Sequence, residues 1–290
     1  MSLEKQSPCK VNLLLNILGK RPDGFHELET VFYPVKLFDL LTFQRAAHGI
    51  QLTCNVPGLP TDSRNLVFRA ATLFLDALGT RDGLRLTLHK NVPMAAGLGG
   101  GSANAATTLL GLNELFGAPL PKERLQQLAA SLGSDVAFFL QGQPALATGR
   151  GEHIQPLAPF PALTGTALLL VQPGFGISTA WAYQQLARFP DALNGQPGRA
   201  QQLVSLLQAQ DLAAAAPAFY NSLEAPALEK YPLLQLFQDF FRANGAAATL
   251  MSGSGSTTFA LVNSLPAAQA LSDRFKARFG AAHWLAIVPA

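Results

Sequence analysis

Apolar positions along the first part of the chain either alternate with polar ones or cluster in short runs, and this spacing predicts strands over residues 9–18, 30–37, 40–45 and 84–90. Elsewhere the apolar period lengthens to that of a helix, over residues 66–78, 103–116 and 122–132. Glycines and prolines punctuate the junctions. Residues 155–166 are proline-rich and carry no period, and a fresh apolar strand follows over 167–172. A domain boundary is expected there, dividing the chain into 1–158 and 159–290. The second half then reads as helix 179–188, a helical stretch over 199–216, helix 232–244, strands 247–252 and 257–262, helix 266–279 and strand 282–289. Strands and helices alternate in both halves, so sheets covered by helices are expected.

Composition narrows the class of protein. With 290 residues, 49% hydrophobic and 13% charged, the chain has apolar material for two cores. A net charge of +3 without a Lys/Arg run gives no footprint for nucleic acid and suits an anionic small molecule. Cys9 and Cys54 are too few for a disulfide framework and lack metal-ligand spacing, so two free thiols in a reducing compartment are expected. No apolar run reaches membrane-spanning length and strand-like sequence starts by residue 9, which predicts a cytoplasmic protein with no membrane partner. Monomer and homodimer are both open.

The strongest chemical signal is Pro93-Met94-Ala95-Ala96-Gly97-Leu98-Gly99-Gly100-Gly101-Ser102-Ala103-Asn104, running straight into a helical pattern with Leu109, Leu110, Leu112 and Leu115. Glycines let the backbone turn its amides inward, and the helix adds its unpaired N–H groups and positive dipole end. The run predicts a phosphate cradle. It is neither a Walker A loop, which would end in Lys-Ser/Thr, nor a dinucleotide fingerprint with its later acidic residue. A flexible linker would not lead into an amphipathic helix.

Three further polar sites interrupt apolar surroundings. Strand period puts Lys10 and Asn12 on one face and Val11, Leu13 and Leu15 on the other, a pattern that a half-solvated strand also explains. Asp135, within Gly133-Ser134-Asp135-Val136, is placed either for chemistry or as the N-cap of a short apolar helix. The turn Arg21-Pro22-Asp23-Gly24-Phe25-His26 presents an aromatic ring beside an imidazole, suited to a flat heterocycle or serving as a lid on the core. The run Ser252-Gly253-Ser254-Gly255 is either a second close backbone approach to a ligand or a hairpin turn.

In order and spacing these segments, with Gly149-Arg150-Gly151-Glu152, resemble the small-molecule kinases of the galactokinase, homoserine kinase, mevalonate kinase and phosphomevalonate kinase (GHMP) superfamily. The turn at 21–26 resembles the subfamily whose acceptor alcohol carries a cytidine diphosphate and lies on the non-mevalonate route to isoprenoid precursors. The resemblance implies an α+β, two-domain fold: an N-terminal domain like the second domain of ribosomal protein S5 and a ferredoxin-like C-terminal domain, with ligands in the cleft between. It implies ATP and Mg²⁺ as cofactors and transfer of the γ-phosphoryl group to a tertiary hydroxyl. By the same resemblance Asp135 is the catalytic acidic residue, which would accept the hydroxyl proton, and Lys10 its partner. Residues 93–104 hold the triphosphate, with Asn65 and Lys90 flanking the nucleotide and Ser102 near the metal. Phe25 stacks on the cytosine and His26 reads its edge, while Tyr183, Thr179, Asn12, Gly253 and Ser254 complete the substrate pocket.

The chain departs from the family pattern at several positions. Phe25 replaces the usual tyrosine, Ala95-Ala96 stand where glycines are frequent, and Ala103 stands where serine is common. In Asn221-Ser222-Leu223-Glu224 an acid is replaced by Ser222, a change expected to bear on helix capping. A kinase of the same superfamily acting on another alcohol would not require the 21–26 turn. A non-catalytic nucleotide-binding protein of the same fold would be expected to lose Lys10 or Asp135.

Overall fold

Two long strands run through the N-terminal part of the chain in the computed structural model, which describes residues 2–290. β1 (Ser2–Lys20) and β2 (His26–Ala46) are hydrogen-bonded neighbours. The apolar pattern leaves a gap in β2 at residues 38 and 39, but the strand is continuous there. Asp39 is fully buried in mid-strand because four donors meet its carboxylate, so the charge does not end the ladder.

By contacts the chain forms two compact units. The first comprises residues up to Cys9, Leu37–Val92 and Gly99–Gly142. In it β3 (Ile50–Cys54), α1 (Leu66–Leu78) and β4 (Gly83–His89) make a parallel crossover, and β4 pairs antiparallel with β2. The Asn65 side chain caps α1 by accepting from Val67 N at 2.9 Å, and Gly79, at φ +65, ends it. Val67, Ala70, Ala71 and Phe74 form its buried stripe. α2 (Gly100–Leu115) begins three residues before the expected start, so the glycine run itself makes the first turn. A Cβ on Gly111 would lie 2.6 Å from the Phe43 ring, so a glycine there lets α2 lie close on the sheet. α3 (Lys122–Leu132) completes this unit.

The second unit comprises Lys10–Lys36, Pro93–Leu98 and Gln143–Ala290. Its elements are, in order, β5 (Ala145–Gly149), β6 (His153–Pro156), β7 (Ala167–Gln172), α4 (Thr179–Gln185), α5 (Arg199–Gln208), β8 (Tyr220–Asn221), α6 (Glu224–Lys230), α7 (Pro232–Ala243), β9 (Ala248–Met251), β10 (Thr258–Val262), α8 (Leu265–Phe279) and β11 (Trp284–Pro289). β5 pairs with β2 across Leu28–Phe32, and β8 lies parallel to β1 at Leu14 and Leu15. A separate antiparallel sheet has the order β11-β7-β10-β9, the ferredoxin-like arrangement that the resemblance implies. Ala167, Leu169 and Val171 of β7 share a core with Phe237 and Phe241 of α7 and Phe275 of α8. The helical stretch expected over 199–216 breaks after Gln208, where Gln210 turns left-handed at φ +60 and Asp211 caps a new short helix.

No helix among the described residues is long and apolar enough to cross a membrane. Neither Cys9 nor Cys54 is in a disulfide.

Candidate active site

Lys10 and Asn12 point to the same side of β1, as the period of two requires, but that side is not solvated: they are 3% and 2% exposed. The Lys10 ammonium donates to Asn12 Oδ1 at 2.5 Å and to the Gly97 carbonyl at 3.0 Å. Asn12 Nδ2 in turn donates to Thr30 Oγ1 at 2.8 Å. A buried cation is thus fixed beside the glycine loop, to which Lys10 N also donates, at the Leu98 carbonyl, 3.0 Å away.

The loop owes its path to positive backbone angles: Gly97 has φ +77 and Gly99 φ +68. Ala95 adopts φ +50, strained for a residue with a Cβ. At α2 the amides of Gly100, Gly101 and Ser102 have no intrahelical carbonyl to pair with, and Gly99 at the N-cap supplies no side chain. That is the geometry of an anion cradle.

The 252–256 run is the loop of the β9–β10 hairpin, and its backbone lies close to that of Gly97. Ser252 Oγ donates to the Gly97 carbonyl at 2.9 Å and accepts from Asn12 N at 3.3 Å. Asn221 Nδ2 donates to the Met251 and Gly253 carbonyls at 2.7 and 2.8 Å, holding the hairpin from β8. Ser222 does not cap α6: its Oγ accepts from Ile17 N at 3.0 Å, and Asn221 Oδ1 takes the Leu223 amide near the helix start. Its role is therefore in β1–β8 pairing, contrary to the capping expected at that position.

The turn at 21–26 is held by its own polar groups. Arg21 pairs with Glu27 at 2.7 Å and Asp23 at 3.2 Å, and Asp23 Oδ1 accepts from Phe25 N. Phe25 is 54% exposed, with the Arg150 guanidinium 4.6 Å over its ring. His26 lies 5.1 Å from the Tyr183 ring, tilted by 41°. Burial, and secondarily the charge of Lys20, pushes the His26 imidazole below its ordinary range. Thr179 and Ser254 bring their hydroxyls within 2.8 Å. Together these residues assemble aromatic and hydroxyl groups from β2, α4 and the hairpin.

In the first unit, the residues expected to flank a nucleotide already have protein partners. Asn65 caps α1 and donates to the Pro60 carbonyl at 2.7 Å. Lys90 and Asn104 are both tied to Asp39, and Lys90 Nζ would be 3.1 Å from a Cβ on Gly100. Asp135 is half-buried ahead of a short 3₁₀ turn, Ala137–Leu140, that is anchored by Phe138 against Phe139. Val136, not Asp135, occupies the cap position of that turn. The described residues contain no cluster of three His, Cys, Asp or Glu side chains that could hold a metal. Ser102, in the first turn of α2, offers a hard hydroxyl oxygen, which fits Mg²⁺ carried in largely by phosphate oxygens.

Local pattern missed Asp39, Asn221 and Arg150. Asp39 had a signal, a lone acid within an apolar strand. Asn221 had one only through the family motif, because its partners lie far along the chain.

The chain matches the family model for the GHMP kinases N terminal domain over residues 65–143 and that for the GHMP kinases C terminal over residues 202–281. It is 44% identical over 91% of its length to a 4-diphosphocytidyl-2-C-methyl-D-erythritol kinase of Synechococcus sp. (strain JA-3-3Ab), covering 86% of that protein. A Pelotomaculum thermopropionicum protein of the same name is 42% identical, with 92% of each chain covered. Among solved structures, a 4-(cytidine 5'-diphospho)-2C-methyl-D-erythritol kinase superposes with a TM-score of 0.82 at 34% identity, covering 99% of this chain and all of that one. Homoserine kinase from Cytophaga hutchinsonii, at 21% identity and a TM-score of 0.77, shares the fold over 99% of this chain and 94% of its own. The fold is therefore the two-domain α+β fold of GHMP kinases, and the chain belongs to the 4-diphosphocytidyl-2-C-methyl-D-erythritol kinase family.

Proposed function

We propose that this chain transfers the γ-phosphoryl group of ATP to the tertiary 2-hydroxyl of 4-diphosphocytidyl-2-C-methyl-D-erythritol, giving the 2-phosphate and ADP in non-mevalonate isoprenoid precursor synthesis. The observation that carries this reading is the Phe25–His26 turn standing beside Tyr183 in a member of this family: an exposed ring, an imidazole and a second ring.

A tertiary alcohol is a weak nucleophile, and Asp135 is the base that takes its proton. Phosphoryl-transfer transition states are loose, so proton transfer comes late and most of the acceleration is positional and electrostatic. Lys10, held by Asn12 and the Gly97 carbonyl, sets positive charge where the transferring group gains negative charge. The first-turn amides of α2 bind the triphosphate, with the Asp39-paired Lys90 standing close to Gly100. Bound Mg²⁺ would neutralise β- and γ-phosphate oxygens, with Ser102 as its protein ligand.

The cytosine stacks on the Phe25 face opposite Arg150. With its imidazole pushed toward the neutral form, His26 has one donor and one acceptor, a match for an amino group and ring acceptor on the base edge. Tyr183, Thr179, Asn12, Gly253 and Ser254 shape the rest of this pocket. The family models at 65–143 and 202–281 fall on either side of residue 158, which supports an ATP-binding domain over 1–158 and a second domain over 159–290. Two cysteines outside any disulfide fit a cytoplasmic enzyme.

The test is ADP release with Mg-ATP and matched concentrations of the cytidyl alcohol, homoserine, mevalonate and galactose. Turnover with the cytidyl compound alone is expected. Turnover with another alcohol instead would remove the substrate assignment and keep the kinase.

A further inference from the structure

One buried carboxylate grips the chain on both sides of the glycine loop. Asp39 Oδ1 accepts from Asn91 N at 2.8 Å and Val92 N at 2.9 Å, the two residues that lead into Pro93. Asp39 Oδ2 accepts from Asn104 Nδ2 at 2.9 Å, in the first turns of α2, and from the ammonium of Lys90. Lys90 also donates to Asn104 Oδ1 at 3.2 Å, and Asn104 Nδ2 to Ser7 Oγ at 2.9 Å. The backbone leaves this carboxylate at Val92, forms the loop, and returns to it at Asn104.

We propose that Asp39 is the positioning residue of the nucleotide cradle, setting the spacing between the two ends of the loop so that its amides meet the phosphates of ATP. The inference rests on the reading of residues 93–104 as the ATP site. Asp39 touches no ligand itself, since its side chain is fully buried and both oxygens are spent on protein donors. Strand stability alone does not call for an acid here, because its neighbours Phe38 and Leu40 are apolar and an apolar residue of similar volume is often as stable as a buried ion pair. What an apolar residue could not do is hold two consecutive backbone amides, an ammonium and an amide side chain at once.

The test uses the full-length protein with ATP and the cytidyl alcohol. Calorimetric titration of ATP into the unsubstituted protein comes first, and an absence of binding there would overturn this inference together with the reading it rests on. With binding established, Asp39→Asn keeps the shape but turns a donor toward Lys90 and Asn104. The expected result is an ATP KM and Kd raised about tenfold or more, kcat at saturating ATP within about threefold, and the KM of the alcohol unchanged. A lower melting temperature with unaltered kinetic constants, or equal rises in both KM values, would show a purely structural role and overturn the proposal. Should Asp39→Asn fail to fold because Lys90 is left buried and unpaired, the comparison becomes Asp39→Asn/Lys90→Met against Lys90→Met. An ATP KM several-fold higher in the double variant supports the positioning role, and equal values overturn it.

Discussion

Replacing Gly97 by alanine should damage the protein far more than the same change four residues later. A Cβ on Gly97 would stand 1.9 Å from the Ser252 carbonyl oxygen and 3.0 Å from Gly255 N, both backbone atoms that cannot swing away. Reaching an attractive separation of about 3.5 Å would require the hairpin loop to move by about 1.6 Å. That shift breaks the bonds of Ser252 Oγ to the Gly97 carbonyl and from Asn12 N. Overpacking of this kind costs about 1–3 kcal/mol, and a Cβ at φ +77 adds about 1–2 kcal/mol. Taking roughly 3 kcal/mol at about 2–4 °C per kcal/mol gives a fall in melting temperature of roughly 6–12 °C. Gly101→Ala is the control: the nearest atom to its Cβ, on Leu66, is 3.8 Å away, and removing a helical glycine should gain about 0.5–1 kcal/mol. Calorimetric melting of the two variants decides. A Gly97→Ala protein melting within 2 °C of the parent, at about the precision of such a comparison, would refute the close approach between the two loops.

Asp135→Asn should abolish turnover while ATP binding by titration is retained, and a variant keeping most of its kcat would remove the base assignment. His26→Ala should raise the KM of the cytidyl alcohol about tenfold or more and leave the ATP KM alone, because a base-edge hydrogen bond is lost without replacement. Equal effects on both would take His26 out of the cytosine pocket. Glu224 accepts from Met251 N at 2.7 Å and from Gln238, and burial pushes its carboxyl from 4.5 up to about 7. Folded protein therefore keeps a proton that the unfolded chain gives up as pH rises above 4.5, so this contribution is complete below 4.5 and lost by about 7. Urea unfolding should show stability falling across that window by up to about 3 kcal/mol, and Glu224→Gln should flatten the fall; parallel profiles would contradict it.

Sequence period located the elements whose apolar stripes are long and uninterrupted. α1, α3 and β7 lie at the residues their spacing predicts, because their buried apolar positions are regular in the sequence and, for α1, Asn65 caps the start. β5, β6 and β8 carry no distinct apolar period in the sequence and form through pairing with β2, with β5 and with β1 respectively. The apparent gap in β2 arises from Asp39, whose compensating donors at residues 90–104 no local window contains. Period two correctly put Lys10 and Asn12 together, yet it cannot say what covers a face, and here protein covers it. The tight path of the glycine loop was legible because positive φ at Gly97 and Gly99 favours glycine. Asn221 and Ser222 act on residues 251–253 and 17, contacts that only the folded chain creates.

The most direct measurement is phosphorus NMR of the products after incubation of the protein with Mg-ATP and 4-diphosphocytidyl-2-C-methyl-D-erythritol. The account predicts a new phosphomonoester signal on the tertiary carbon, one equivalent of ADP and an intact cytidine diphosphate linkage. ADP without that monoester, or a monoester on another hydroxyl, would contradict it.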